Sequence, residues 1–325
     1  MRNVLALSWF EHRRTTGLCH ALNLELIVHS TRVGGALRYL ILSVRTTALL
    51  LRRRPAILLV QNPSLILSAL AVLLRPLLNY RLIVDAHNEA VTPFMNQQRW
   101  VRHLARWVIR KADLTIVTNR QLAQIVESHS GRPFTLPDPT PVPPPFAARA
   151  LPGSFTAVLI STFAPDEPVA EVFAAVCGLD IELYVTGNHL KLPSALLAAV
   201  PPNVHFCGFL PEEEYWSLLQ SADAAVDLTL MDNCLVCGAY EALALGKPML
   251  LSNNPATVEL FSGAAVFTDN TASDIRLGLE RLRLSRDAMK VAADNKRGEL
   301  TERWIASARD LTRIMSTEKV PEPQG

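Results

Sequence analysis

The chain has no Gly-x-x-x-x-Gly-Lys-Ser/Thr loop and no Gly-x-Gly-x-x-Gly after its first apolar run. Those absences exclude a P-loop nucleotidase and a dinucleotide dehydrogenase. Five cysteines, Cys19, Cys177, Cys207, Cys234 and Cys237, are too few and odd in number for a disulfide framework, and they suit a reducing compartment. Cys234 and Cys237 form a single Cys-x-x-Cys at an expected helix start, where a thiol pKa would fall. With no second pair and no His at zinc spacing, they read as small packing residues, and no metal is expected. No basic motif interleaved with aromatics marks a nucleic-acid partner. The opening is apolar only as far as Phe10, too short for a signal peptide, which predicts a cytoplasmic protein. Residues 56–74 are free of charge, but Gln61-Asn62-Pro63 interrupts them. A strand (Ala56 to Val60), a turn and a buried helix (Leu65 to Leu74) are expected there, not a membrane span.

What is present is a chain of 325 residues, 49% hydrophobic, enough for two cores. The halves differ in charge. Residues 1–150 hold 19 Lys and Arg against 7 Asp and Glu, and residues 151–325 hold 13 against 23. The basic half suits an acidic membrane surface or a phosphorylated lipid. Along residues 32–54 arginines 32, 38, 45 and 52 recur at spacings of six or seven on an otherwise apolar segment. Such a helix either lies in an anionic interface or covers the sheet in the ordinary way.

Short apolar runs alternate with helical segments, the pattern of parallel sheets built from strand-helix-strand units. Expected strands are Val4 to Trp9, Leu24 to His29, Ala56 to Val60, Arg81 to Asp85 and Leu114 to Thr118, with helices at Ala36 to Arg54 and Trp100 to Lys111 among those between. The run Leu136-Pro-Asp-Pro-Thr-Pro-Val-Pro-Pro-Pro-Phe146 removes backbone donors and fixes φ, so it links two domains. Beyond it, strands are expected at Ala157 to Ile160, Ile181 to Thr186, Val204 to Cys207, Ala224 to Thr229, Pro248 to Leu251 and Ala264 to Phe267. The division is 1–140, a linker at 141–152, and 153–300, each domain Rossmann-like with its strand ends facing a cleft. A helix at 301–317 caps the second domain or crosses back to the first, and 318–325 is a tail.

The strand-end loops carry the candidate chemistry. Thr186-Gly187-Asn188 follows a strand, and its glycine lets backbone approach a ligand. Gly208-Phe209-Leu210 follows the next. Asp232-Asn233-Cys234 leads into a helix at Cys237-Gly238, whose unpaired amides favour a diphosphate. Glu241, one turn in, is placed to accept hydrogen bonds from a ribose diol. In the first half His87 closes a strand and is the candidate base, with Asp85 or Glu89 near enough in sequence to fix its tautomer. Glu11 is a rival base, while His12, Arg13 and Arg14 are candidates for acceptor phosphate, the arginines through bidentate bonds.

The chain resembles GT-B glycosyltransferases, whose C-terminal domain binds a nucleotide sugar. Gly208 to Ser252 is similar to that family's donor site, and Glu241-Ala-Leu-Ala-Leu-Gly-Lys-Pro248 to the helix whose Glu holds the ribose. The first of the family's two acids is replaced by Asn233, with Asp232 one place out of register. Its Arg and Lys after the first C-terminal strand are replaced by Ser161-Thr-Phe-Ala-Pro-Asp-Glu167, leaving Lys191, His189 or Lys247 to compensate. Gln61-Asn62-Pro63, Asp85-Ala-His87-Asn88, Ser161-Thr162 with Asp166-Glu167, and Thr186-Gly187-Asn188 occur in the order found in chitobiosyl-diphospholipid β-mannosyltransferases. The resemblance implies sugar transfer without a cofactor or metal, from a nucleoside diphosphate-sugar to a glycan or polyprenyl-diphosphate-linked acceptor, with domain closure aligning the two. A nucleotide-sugar epimerase and a non-catalytic partner subunit of the same fold stay open beside it.

Overall fold

The computed structural model describes residues 3–62, 64–91, 99–147 and 149–316, apart from the side chains of Arg13 and Glu89. The chain forms two compact units, residues 1–139 with 303–325, and residues 140–302.

The first unit contains β1 (Val4–Ser8), α1 (Arg13–Ala21), β2 (Glu25–Val28), α2 (Gly35–Arg53), β3 (Ile57–Asn62) and α3 (Leu65–Leu78). Then come β4 (Arg81–Ala86), α4 (Asn88–Val91), α5 (Arg99–Lys111), β5 (Leu114–Val117), α6 (Arg120–Ser128) and β6 (Pro133–Thr135). Its strands pair in the order β2-β1-β3-β4-β5-β6, parallel throughout. A parallel sheet is covered on both faces, which is why Ile57 to Val60 reads as one unbroken apolar run and is wholly buried. From β2 onward the crossovers run one way across the sheet, so right-handed connections put α2, α3 and α5 on the same face. The connection from β1 to β2 runs the other way, and α1 lies opposite.

The second unit contains β7 (Thr156–Leu159), α7 (Val169–Val176), β8 (Glu182–Thr186), α8 (Ser194–Ala198), β9 (Val204–Gly208) and α9 (Glu212–Ser221). It continues through β10 (Ala224–Asp227), α10 (Cys237–Ala244), β11 (Met249–Ser252), α11 (Pro255–Phe261), β12 (Ala265–Thr268) and α12 (Ala272–Ser316), whose residues from 303 on belong to the first unit. The strand order is β12-β11-β10-β7-β8-β9, again all parallel. In α12 Ser285 leaves helical geometry at φ −112°, and its Oγ donates to the carbonyl of Arg281, a back-bond that bends helices. The last turns of α12 pack within the first unit, where Ala308, Leu311 and Met315 join Leu18 and Cys19 of α1 and Leu22 just beyond it. Trp304 Nε1 donates to the carbonyl of Pro137 over 3.0 Å.

Three expected boundaries differ from the structure. A sixth strand, β6, pairs with β5 at the sheet edge, the place where a strand beginning with proline is tolerated. Helix α3 continues past Leu74 with Pro76 in its last turn, ending at Asn79 in the left-handed conformation. The last helix begins at Ala272, not at residue 301. The tail at 318–325 lies outside the described residues.

Candidate active site

Ligands of open parallel sheets sit at the carboxyl edge where the strand order reverses. In the second unit the reversal falls between β7 and β10, and in the first between β1 and β3.

At the β7/β10 edge, Asp227 ends its strand buried, and its Oδ2 accepts the amide of Gly238 at the start of α10 over 2.8 Å. A Cβ on Gly238 would lie 2.4 Å from that oxygen and 2.5 Å from Ile160, so only glycine lets the helix start this close. Burial pushes the Asp227 carboxyl well above the usual range, with Glu241, Glu167 and Asp166 adding to the shift and the Gly238 amide opposing it. A carboxyl favoured in its neutral form leaves the helix start less hostile to an anion than a carboxylate would. One of the amides expected to serve a diphosphate is thus held by the protein itself.

Glu241 is 8% exposed and accepts a hydrogen bond from the Tyr215 hydroxyl of α9. It is therefore a held carboxylate inside the unit and not a solvated one. Cys237 is exposed at the first residue of α10. Asn233 adopts φ 57°, a conformation Asn tolerates better than Glu, which gives a backbone reason for the amide there. Its loop is pinned through the carbonyl of Cys234, which accepts from Asn254 Nδ2 and Thr257 Oγ1, each over 3.2 Å.

On the other side of β7, Gly187 has φ 91°, and a Cβ there would lie 2.2 Å from the carbonyl oxygen of Ser161. The close approach that needs this glycine is to the neighbouring loop of the protein. Asn188 caps the turn that follows, accepting the amide of Leu190 over 3.1 Å. Phe209, just past the end of the next strand, is 91% exposed. In place of cations, the loop after β7 is organised by a carboxylate: Glu167 accepts from Ser161 Oγ, from the amides of Thr162 and Phe163, and from Thr162 Oγ1.

Of the three cations offered as compensation, Lys191 reaches this loop, with Nζ donating to the carbonyl of Thr162 over 2.7 Å. His189 stacks on Phe206 at 4.5 Å. Lys247 does not serve: its ammonium donates to the carbonyls of Gln220 and Ala222, ahead of β10 and so at the opposite edge of the sheet. Burial, then Lys290, push its pKa down to about 8.

In the first unit, His87 is fixed at both ends of its peptide. Its amide donates to the carbonyl of Asn62 over 2.9 Å, and its carbonyl accepts from Ala90 over 2.9 Å. The ring meets His12 edge to face at 4.3 Å between centroids. Burial pushes the imidazole down to about 4, Asp85 and Asp138 opposing and Arg14 and His12 adding. His12 is lowered too, again chiefly by burial. His87 Nε2, His12 Nδ1, Gln61 Nε2 and Asn62 Oδ1 are buried without a hydrogen-bond partner among the described residues. Buried polar atoms are seldom left so, and four of them at one sheet edge mark it as a place where a hydroxylated molecule or water completes the bonding.

Two expectations for this edge are corrected. Asp85 does not orient His87. Its oxygens accept from Arg14 Nε over 3.1 Å and from Thr15 Oγ1 over 3.3 Å. Arg14 does not present a fork to phosphate: its guanidinium is buried against Asp85, Asp138 and the carbonyl of Leu136. Burial alone would disfavour that charge, and the two carboxylates more than offset it. Glu11 is exposed, and the side chains of Arg13 and Glu89 lie outside the described residues. Sequence reasoning missed Asp227 and Tyr215. The one available signal was a lone acid inside the apolar run Ala224 to Leu230.

Residues 8–142 match the family of glycosyl transferase 4-like domains, and no curated protein matches the chain in sequence. Among solved structures, a sucrose-phosphate synthase from Thermosynechococcus elongatus aligns with TM-score 0.79 at 14% identity, over 97% of this chain and 98% of that one. HepE of Anabaena in complex with UDP aligns with TM-score 0.73 at 11% identity, over 97% and 99%. A glycosyltransferase of Rickettsia africae aligns with TM-score 0.68 at 9% identity, over 97% and 99%. Two six-stranded parallel sheets, each with a reversal of strand order, align over nearly the whole chain with these proteins, so the fold is GT-B, with residues 8–142 similar to a glycosyl transferase 4-like domain.

Proposed function

We propose that the protein is a glycosyltransferase that moves a hexosyl group from a nucleoside diphosphate-sugar to a glycan or polyprenyl-diphosphate-linked acceptor, at the cytoplasmic face of a membrane. The observation that carries this reading is Glu241. It is a buried carboxylate held by Tyr215, one turn into the helix that starts at the β7/β10 reversal, where a ribose diol needs an acceptor and a diphosphate needs amides. The structure of HepE with UDP-glucose supports the same ligand class.

In this reading the donor sits on the second unit, at Gly187, Asn188, Phe209, Asn233, Cys237, Gly238 and Glu241, and the acceptor on the first, at His12, Arg13 and His87. The acceptor oxygen forms a bond to the anomeric carbon as the bond from that carbon to the diphosphate breaks, and the hydroxyl proton passes to His87 Nε2. A pKa near 4 keeps the ring neutral at neutral pH, and the tautomer with its proton on Nδ1 leaves Nε2 free to accept. No metal enters these steps. Glu11 is the rival base.

Calorimetric titration with UDP, GDP, dTDP and CMP tests the donor site. One diphosphate should bind, and Glu241→Gln, which keeps an acceptor for Tyr215, should weaken it by about tenfold or more. Absence of heat with every nucleotide, from a folded sample, sinks the proposal. One observation favours a second reading, a non-catalytic GT-B subunit: Glu167 occupies the loop where the resembling family has neutralising cations.

A further inference from the structure

Between Glu25 and Asp85 the chain contains no acidic residue, while Arg32, Arg38, Arg45, Arg52, Arg53, Arg54, Arg75 and Arg81 fall within that interval. Most of it folds into α2, β3 and α3. Helix α2 buries Leu42, Thr46 and Leu50, which leaves its opposite side facing away from the sheet. A solvated helix would carry charge there. Instead Leu37, Leu40, Val44, Ala48 and Leu51 form a stripe at i, i+3, i+7, i+11 and i+14, with Leu40 and Val44 each 61% exposed. At 1.5 Å per residue the stripe is about 21 Å long. Helix α3 lies beside α2 on the same face and adds Leu73 and Leu77, 66% and 71% exposed, and α5 adds an exposed Trp100.

Arg38, Arg45 and Arg52 recur every seven residues, so they fall on one flank of the stripe, about 80 to 120° from its centre. None of the three has a carboxylate partner among the described residues. The two acids bordering the interval are already matched, Glu25 with Arg53 and Asp85 with Arg14, and Asp113 beyond it pairs with Arg75. An apolar stripe bordered by arginines is the pattern of a helix that lies in a lipid interface, with aliphatic stems in the acyl boundary and guanidinium groups among head groups. No helix among the described residues is long and apolar enough to cross a membrane, so the contact is with the surface. A second copy is the poorer occupant. Two such faces brought together would set arginine rows near one another with no carboxylate on the face to neutralise them.

We infer that the outer face of α2 and α3 docks on an anionic lipid bilayer, the α2 stripe inserted at the interface and Arg38, Arg45 and Arg52 on lipid phosphates. The inference deepens the membrane part of the proposed function by naming the surface and its lipid chemistry, and its test needs neither donor nor acceptor.

The test is co-sedimentation of the full chain with vesicles of phosphatidylcholine alone and of phosphatidylcholine mixed with phosphatidylglycerol. The protein should sediment with the anionic vesicles and stay in solution with the neutral ones, and added salt should release it. Arg45→Ser with Arg52→Ser should weaken partition roughly thirtyfold. Leu40→Ser with Val44→Ser should weaken it on the order of tenfold or more. All four side chains are exposed, and circular dichroism checks that the variants stay folded. Equal affinity for both vesicle types, no sedimentation of folded protein, or binding indifferent to both pairs would overturn the inference. So would a dimer, seen by analytical ultracentrifugation, that Leu40→Ser with Val44→Ser dissolves. Failure here leaves nucleotide binding untouched, and failure of nucleotide binding leaves this result standing.

Discussion

His12 and His87 meet edge to face with 4.3 Å between ring centroids, and burial lowers the pKa of both. For His87 the folded value is about 4 against 6.5 in an exposed chain. Between those values the unfolded state binds the proton more readily, so stability rises with pH through the window and falls on acidification. The loss from pH 7 to pH 4 attributable to His87 should be roughly 3 kcal/mol. Urea unfolding at stepped pH values should show this slope, and His87→Gln should flatten it. An unchanged slope in the variant would refute the assignment.

Among the described residues, the Arg14 guanidinium is the cation that pairs with Asp85, which is fully buried. Arg14→Ala would leave that carboxylate uncompensated, at a cost of about 3–5 kcal/mol. Arg14→Lys should recover only part of it, because one ammonium cannot reproduce the fork to Asp85, Asp138 and Leu136. Thermal melts of both variants check the ranking.

Gly187→Ala places a Cβ 2.2 Å from the carbonyl oxygen of Ser161 at φ 91°. The residue can relieve this only by moving backbone, so a loss of at least about 2 kcal/mol is expected. Gly263, also left-handed but with open space around it, is the control, and its alanine variant should lose no more than about 1–2 kcal/mol. Denaturation midpoints of the two variants separate steric contact from conformation.

Tyr215→Phe removes the hydroxyl that holds Glu241 and keeps the ring. If the Tyr215 hydroxyl serves mainly to orient Glu241, nucleotide affinity should fall by about three- to tenfold while the melting temperature moves little. A large fall in stability with unchanged affinity would assign the bond to packing alone.

The sheets were legible in the chain because a parallel strand is buried on both faces and leaves a run such as Ile57 to Val60. The short helix from Cys237, its stop at Gly246 and the strand from Met249 were legible through local residues with distinct backbone demands. Strand β6 was not, because three residues beginning with proline carry no period. The partners of Arg14 were not legible either. Asp85 is 71 positions away and Asp138 is 124, and nothing in the spacing of Glu11 to Arg14 tells a buried arginine from an exposed one. Asn233 read as a lost acid, whereas its positive φ supplies a local reason that composition does not reveal.

The end of α12 has a consequence for synthesis. Ala308, Leu311 and Met315 complete the cluster formed by Leu18, Cys19 and Leu22, yet the ribosome makes them about 170 residues after Pro139. At about 5–20 residues per second that interval is roughly ten to thirty seconds. Through it, the part of that sheet face beside α1 which α12 covers stays exposed while the second unit emerges and folds. The nascent chain therefore offers a chaperone a defined apolar surface, which the last turns of its own helix displace.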